Sequence, residues 1–173
     1  GNQSPRVAYS SVVNFGDSLS DAGTYKAGVM ANVTSGAAAG MFTVNGVAGA
    51  VGAQPVPTYT WAQLIGAAAV GTPTCAARSG GFGVVTTTVA GCTEYAQGGS
   101  RVTSIYGVGN TTGLNNFGGP LTDPVVTQIA NYLTDAANGG KFKGTELVTV
   151  LAGANDIFGL TDTLRAAATA AGG

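Results

Sequence analysis

Apolar positions along the chain alternate between a strand period and a helix period, and that alternation is its first organising feature. Val7 to Phe15 reads as a first strand, and Gly16 permits a sharp exit from it. Thr58 to Ala69 reads as a helix with Trp61, Leu64 and Ile65 on one face. A β-rich piece, Val84 to Val89, precedes Cys92-Thr93-Glu94-Tyr95-Ala96. Asp123-Pro124 marks a second helix start, with Asp as cap and Pro in the first turn. Val125, Val126, Ile129, Ala130 and Leu133 give that helix an apolar stripe, and Gly139-Gly140 ends it. Leu147 to Leu151 follows as a short buried strand. Helix followed by buried strand predicts βαβ crossovers and an α/β fold with a parallel sheet. Two irregular stretches, residues 31–57 and 100–120, are rich in Gly and Asn and long enough to be functional loops.

Composition narrows the function classes. A chain of 173 residues fits one domain with a real core. Only 7 basic and 8 acidic residues are present, for a net charge of −1, so no basic face offers itself to nucleic acid. Apolar runs reach only about five residues, far short of a bilayer span. Cys75 and Cys92 lie 17 positions apart in loop-like, Gly/Thr-rich sequence, with no His or further Cys to make a metal site. A disulfide and an oxidising compartment are expected; two reduced cytosolic thiols are the alternative. The composition, poor in Lys and rich in Ala, Gly and Thr, suits an exported bacterial protein, secreted or at the cell surface. Asn-x-Thr triplets at Asn32 and Asn110 match a glycosylation pattern that also arises by chance.

Three glycine-bearing segments stand at or near the carboxyl ends of predicted strands: Gly16-Asp17-Ser18, Gln97-Gly98-Gly99-Ser100 and Gly153-Ala154-Asn155-Asp156. The carboxyl edge of an open α/β sheet is where ligands bind. Acyl transfer needs a nucleophile and preorganised donors facing the developing oxyanion. Ser18 supplies the hydroxyl. The Ser18 and Gly98 N–H groups and the Asn155 amide supply donors. Against this, the chain contains no histidine at all, and a serine hydroxyl is a poor nucleophile without an adjacent base.

These segments resemble the GDSL, or SGNH, hydrolases. Gly16-Asp17-Ser18-Leu19-Ser20-Asp21-Ala22-Gly23 is similar to the family's first block in its bacterial lipase-like branch. Tyr95-Ala96-Gln97-Gly98-Gly99-Ser100 resembles the second block and Gly153-Ala154-Asn155-Asp156 the third, in the family's order and spaced by 80 and 57 residues. The resemblance implies a flavodoxin-like three-layer α/β/α sandwich, no cofactor, and hydrolysis of acyl esters through an acyl-serine intermediate. It makes Ser18 the nucleophile, with the Ser18 and Gly98 N–H groups and Asn155 as the oxyanion hole.

The family's last block, Asp-x-x-His, has no counterpart in this sequence, and only three parallel strands are evident where the family has about five. The expectation is therefore the N-terminal portion of one hydrolase domain. A second chain or C-terminal fragment would complete the sheet and bring the base, with the small-residue tail Leu164 to Gly173 as a cleavage point. Such a cut would leave an apolar edge and one bare layer.

Plainer readings stand beside each site residue. Ser18 suits a helix N-cap, Gly98-Gly99 a plain turn, and Asn155 a loop cap. Asp17, Asp21 and Asp156 read as braces for backbone N–H groups rather than catalysts. Tyr25, Phe42, Tyr59, Tyr106, Phe117 and Phe158 are core or acyl-pocket aromatics, with Phe158 nearest the third motif. The functional alternatives are a phospholipid-type acyltransferase using the same site and a non-catalytic adhesive domain. Metal hydrolysis lacks ligands, and no acidic pair stands out for a glycosidase.

Overall fold

The computed structural model of the chain describes residues 8–26, 59–81, 84–110, 121–136 and 139–172. The first irregular stretch, the triplet at Asn32, Phe42, Phe117 and half of the second stretch lie outside the described residues. The first strand, β1, spans Ser11–Gly16, and a short 3-10 turn covers Thr24–Lys26. Helix α1 runs Trp61–Val70, and a hairpin of β2 (Arg78–Gly81) and β3 (Val84–Thr88) follows it. Helix α2 is Val125–Asp135, β4 is Glu146–Leu151, and α3 is Ala154–Ala170.

The sheet is parallel. β1 pairs with β4 in register from Ser11 opposite Glu146 to Gly16 opposite Leu151. On the other side of β1 the chain around Glu94 forms parallel bridges to Asn14 and to Ala76. Backbone bonds continue that pairing: Asn14 N–H to Thr93 O at 3.1 Å, Tyr95 N–H to Asn14 O at 2.8 Å, and Ala77 N–H to Glu94 O at 2.7 Å. The β-rich piece at 84–88 is not part of this layer. It folds back on β2 as an exposed antiparallel hairpin. Its Val-Val-Thr-Thr-Thr run has high strand propensity but little apolar alternation, so it takes a surface position.

Strand alternation divides the two faces of β1. Val13 and Phe15 point into a core with Ala77, Tyr95, Val125 and Tyr132, so α2 covers that face. Phe15, Tyr95 and Tyr132 meet ring to ring at 5.8–6.1 Å, in tilted and edge-on arrangements that suit aromatic quadrupoles. Asn14 faces the other way, its amide donating to Thr74 Oγ1 at 3.3 Å. Gln63 of α1 donates to Thr74 O at 3.1 Å.

α1 starts at a capping box in which Thr60 and Gln63 bond each other's backbone N–H. It buries Ala62, Gln63 and Gly66, while Leu64 and Ile65 are partly exposed, contrary to the expected apolar face. The reason is close approach: a Cβ at Gly66 would lie 2.9 Å from Thr74 N, so only small side chains fit there. α2 also differs at its start. Pro124 occupies the cap, and the Asp123 carboxylate makes no cap bond. It accepts instead from Gln97 Nε2 and Asn131 Nδ2, both at 3.0 Å. The buried face of α2 is Val125, Gln128 and Tyr132, whereas Val126 of the expected stripe is exposed.

β4 is less buried than its sequence suggests. Val150 is 58% exposed, and Val148 and Leu151 are exposed as well. α3 adds Ile157, Phe158, Leu160 and Leu164, each more than half exposed. The tail does not fray at Leu164 but stays helical to Ala170.

Cys75 and Cys92 are joined in a disulfide, with Cα atoms 4.9 Å apart. It pins the start of the Ala76 segment to the start of the Glu94 segment, at the amino end of the sheet. Closing a loop of 17 residues restricts the unfolded chain. Replacing both cysteines by serine is expected to lower unfolding stability by about 3 kcal/mol. Urea denaturation checks this, and an unchanged midpoint would contradict it.

Candidate active site

The site begins where β1 runs out. A Cβ at Gly16 would fall 2.2 Å from Leu151 O, so only glycine lets the two strands close up at this level. The Asp17 N–H makes the next bond, to Leu151 O at 3.3 Å, and the chain then turns. Asp17 O accepts the N–H groups of Ser20 and Asp21 at 3.1 Å, and Asp17 Oδ1 accepts Leu19 N–H at 3.0 Å. Ser18 sits half-buried on this turn. Among the described residues its N–H has no acceptor.

Asp21 ties this turn to the second motif. Oδ1 accepts Gly23 N–H at 2.9 Å and Thr24 N–H at 2.7 Å, and Oδ2 accepts Gly98 N–H at 2.8 Å. The Tyr25 hydroxyl donates to Gly98 O at 2.7 Å, and its ring lies 3.1 Å from where a Gly98 Cβ would be. That same Cβ position is 3.7 Å from Ser18 Cβ, so the first two motifs meet. The Gly98 N–H, however, is already engaged. The donor role expected of it conflicts with the need of a buried carboxylate for N–H partners. The neighbouring Gly99 N–H has no acceptor among the described residues.

The third motif arrives through β4. Gly153 adopts the left-handed conformation (φ 107°) and starts α3, which places Asn155 in the first turn, buried. Asn155 Nδ2 donates to Ser100 O at 2.7 Å, so the third motif docks on the second and keeps one amide proton for another acceptor. Asp156 Oδ2 accepts Val102 N–H at 3.0 Å. Asp17, Asp21 and Asp156 thus all receive backbone N–H groups. Tyr106 and Phe158 are exposed, and the Tyr25 ring packs beneath Gly98 rather than in an open pocket. The disulfide lies at the other end of the sheet. A cavity of about 360 Å³ also opens there, lined by Ser11, Cys92, Tyr95, Tyr132 and Lys143 among others.

Sequence reasoning missed three supports: Tyr25 as a hydrogen-bond donor, Gln128, and Glu94. A readable signal existed for Gln128, because it is the polar member of the core-facing series 125, 128, 129 and 132. Glu94 is fully buried beside Asn14, with Oε1 accepting Ala96 N–H at 3.1 Å and Oε2 without a partner among the described residues. Burial pushes its carboxyl well above the usual range; the Ala96 N–H opposes this, and the charge of Asp21 adds to it. Burial also raises Asp21, against the pull of the Thr24, Gly98 and Gly23 N–H groups. No three His, Cys, Asp or Glu side chains stand together as a metal site among the described residues.

A small parallel α/β sheet thus carries a half-buried serine on the turn after its first strand, with two further motifs docked beside it. The chain belongs to the GDSL-like lipase/acylhydrolase family, whose model matches residues 12–171. Membership brings with it the SGNH fold and ester hydrolysis as the general chemistry. No curated protein and no solved structure matches the chain.

A carboxyl whose pKa is raised on folding stabilises the fold only while protonated. Its contribution is lost as pH rises from the unfolded value through the folded one. Glu94→Gln keeps an acceptor for Ala96 N–H and removes this titration. The variant is expected to gain stability over the parent progressively above about pH 4.5. Urea midpoints of both proteins across pH 4 to 8 check it, and a pH-independent difference would contradict it.

Proposed function

We propose that this chain carries the nucleophile and oxyanion donors of an exported serine esterase. Ser18 Oγ attacks the acyl carbon of an ester and passes its proton to an imidazole. The tetrahedral oxyanion forms between the Ser18 N–H, the Gly99 N–H and the second Nδ2 proton of Asn155. Its collapse breaks the bond to the alcohol oxygen, which takes the proton back from the imidazole. Water then repeats the sequence on the acyl-Ser18 ester and regenerates the hydroxyl.

The observation that carries this reading is the N–H inventory. The Ser18 and Gly99 N–H groups have no acceptor among the described residues, while the Gly98 N–H, on the turn that meets Ser18, is held by Asp21. Donors fixed in place before the reaction cost no reorganisation when charge develops.

The imidazole comes from a C-terminal segment outside these 173 residues, which contain no histidine. The exposed apolar side chains of β4 and α3 support this reading, because a further strand and helix would cover them. The disulfide supports an oxidising, extracytoplasmic location.

In the full-length protein, a fluorophosphonate is expected to modify Ser18 stoichiometrically. Ser18→Ala should abolish ester turnover with little change in stability. Asn155→Ala should lower kcat by roughly 10²–10³, the cost of one oxyanion donor. Esterase assays alongside denaturation curves test this. Full activity in Ser18→Ala, or no labelling of the parent, would contradict it.

A further inference from the structure

Gln128 is completely buried on the core face of α2, yet every hydrogen bond its side chain makes leaves that helix. Oε1 accepts Gly16 N–H at 2.9 Å, and Nε2 donates to Gly16 O at 2.9 Å. Nε2 also reaches Ser100 Oγ at 3.1 Å and Asp123 O at 2.9 Å. The carboxamide therefore grips the Gly16 peptide by both its donor and its acceptor, as a neighbouring strand would.

The pairing register explains why a side chain is needed. Along β1 the ladder to the Glu94 segment runs Asn14 N–H to Thr93 O, then Tyr95 N–H to Asn14 O, then Gln97 N–H to Gly16 O. A regular parallel ladder would also send the Gly16 N–H to Tyr95 O. It goes to Gln128 instead, at the level where the two segments part to form the site. Gly16 lies two residues before Ser18. Ser100 follows Gly99 directly, and its carbonyl holds Asn155. One buried amide thus holds the backbone of the first motif and the Ser100 hydroxyl of the second, and Ser100 in turn anchors the third through its carbonyl.

We propose that Gln128 is a positioning residue that sets the Ser18 hydroxyl relative to the oxyanion donors. This rests on the esterase reading above. No other common side chain fits the role. Glutamate lacks the donor for Gly16 O and would bury a charge, and methionine would leave the Gly16 N–H unpaired in the core. A displacement of about 1 Å between nucleophile and donors costs on the order of 10² in rate.

The test uses the full-length protein, p-nitrophenyl butyrate as substrate, and a fluorophosphonate to count reactive serines. Gln128→Met is expected to lower kcat per titrated site by roughly 10- to 10²-fold, with KM within about threefold of the parent. It should weaken a trifluoromethyl ketone inhibitor in proportion to kcat/KM. A purely structural glutamine would behave differently: fewer sites would titrate, each with parental kcat, and that result overturns the proposal. Should Gln128→Met not fold, Ser100→Ala removes the hydroxyl that Gln128 reaches, together with that hydroxyl's bond to Asp123 O. It is expected to lower kcat per site by about three- to tenfold, and a parental kcat there also overturns the proposal. An inert parent protein would fail at the earlier step, against the esterase reading itself, and would take this role with it.

Discussion

A buried carboxylate organises the site: Asp21 accepts the N–H groups of Gly23 and Thr24 on one oxygen and of Gly98 on the other. Burying this carboxyl is costly, and the three aligned N–H groups offset part of the lost hydration, so its pKa is still raised. The consequence is geometric. The turn that carries Ser18 cannot move independently of the Gly98-Gly99 turn, because both hang from one side chain. The same bond decides which donors remain: by engaging the Gly98 N–H it leaves the Ser18 and Gly99 N–H groups without acceptors among the described residues.

Around this point the parallel sheet works as a convergence device. β1, the Glu94 segment and β4 all run the same way, so their ends deliver three sequence-distant motifs to one edge. Contacts between motifs then replace ladder bonds. Gln128 takes the place of a strand partner at Gly16, and Asn155 docks on Ser100 O. Tyr25 braces Gly98 from below. The opposite end of the sheet is closed by the disulfide, which restrains the two segments there. The order of the site comes from this network, while β4 and α3 still present Val150, Ile157, Leu160 and Leu164 to solvent.

Much of this was legible in the sequence, for identifiable reasons. The strand ending in Gly16, the helix after Pro124 and the strand at 147–151 follow from periodicity and punctuation, because those signals are local. The three motifs were legible as a set through their residue types and order. What failed depended on partners far along the chain. The burying face of α1 was misread because the approach of Thr74 to Gly66 is a tertiary fact. Asp123 looked like a cap and instead binds Gln97 and Asn131. The bond from the Gly98 N–H to Asp21 was not legible either, because no local rule says which of two adjacent glycine N–H groups a distant Asp21 will engage. Gln128 offered a polar residue in an apolar stripe, and only the fold explains it.

In the proposed esterase the Ser18 N–H, the Gly99 N–H and the Asn155 amide share one oxyanion site from which the Gly98 N–H is excluded. A crystal structure of the full-length protein with a phosphonate bonded to Ser18 Oγ tests it most directly. The phosphoryl oxygen is expected within about 3 Å of those three nitrogens, with the Gly98 N–H still on Asp21. A phosphoryl oxygen bound by the Gly98 N–H, or pointing into solvent away from Asn155, would contradict it.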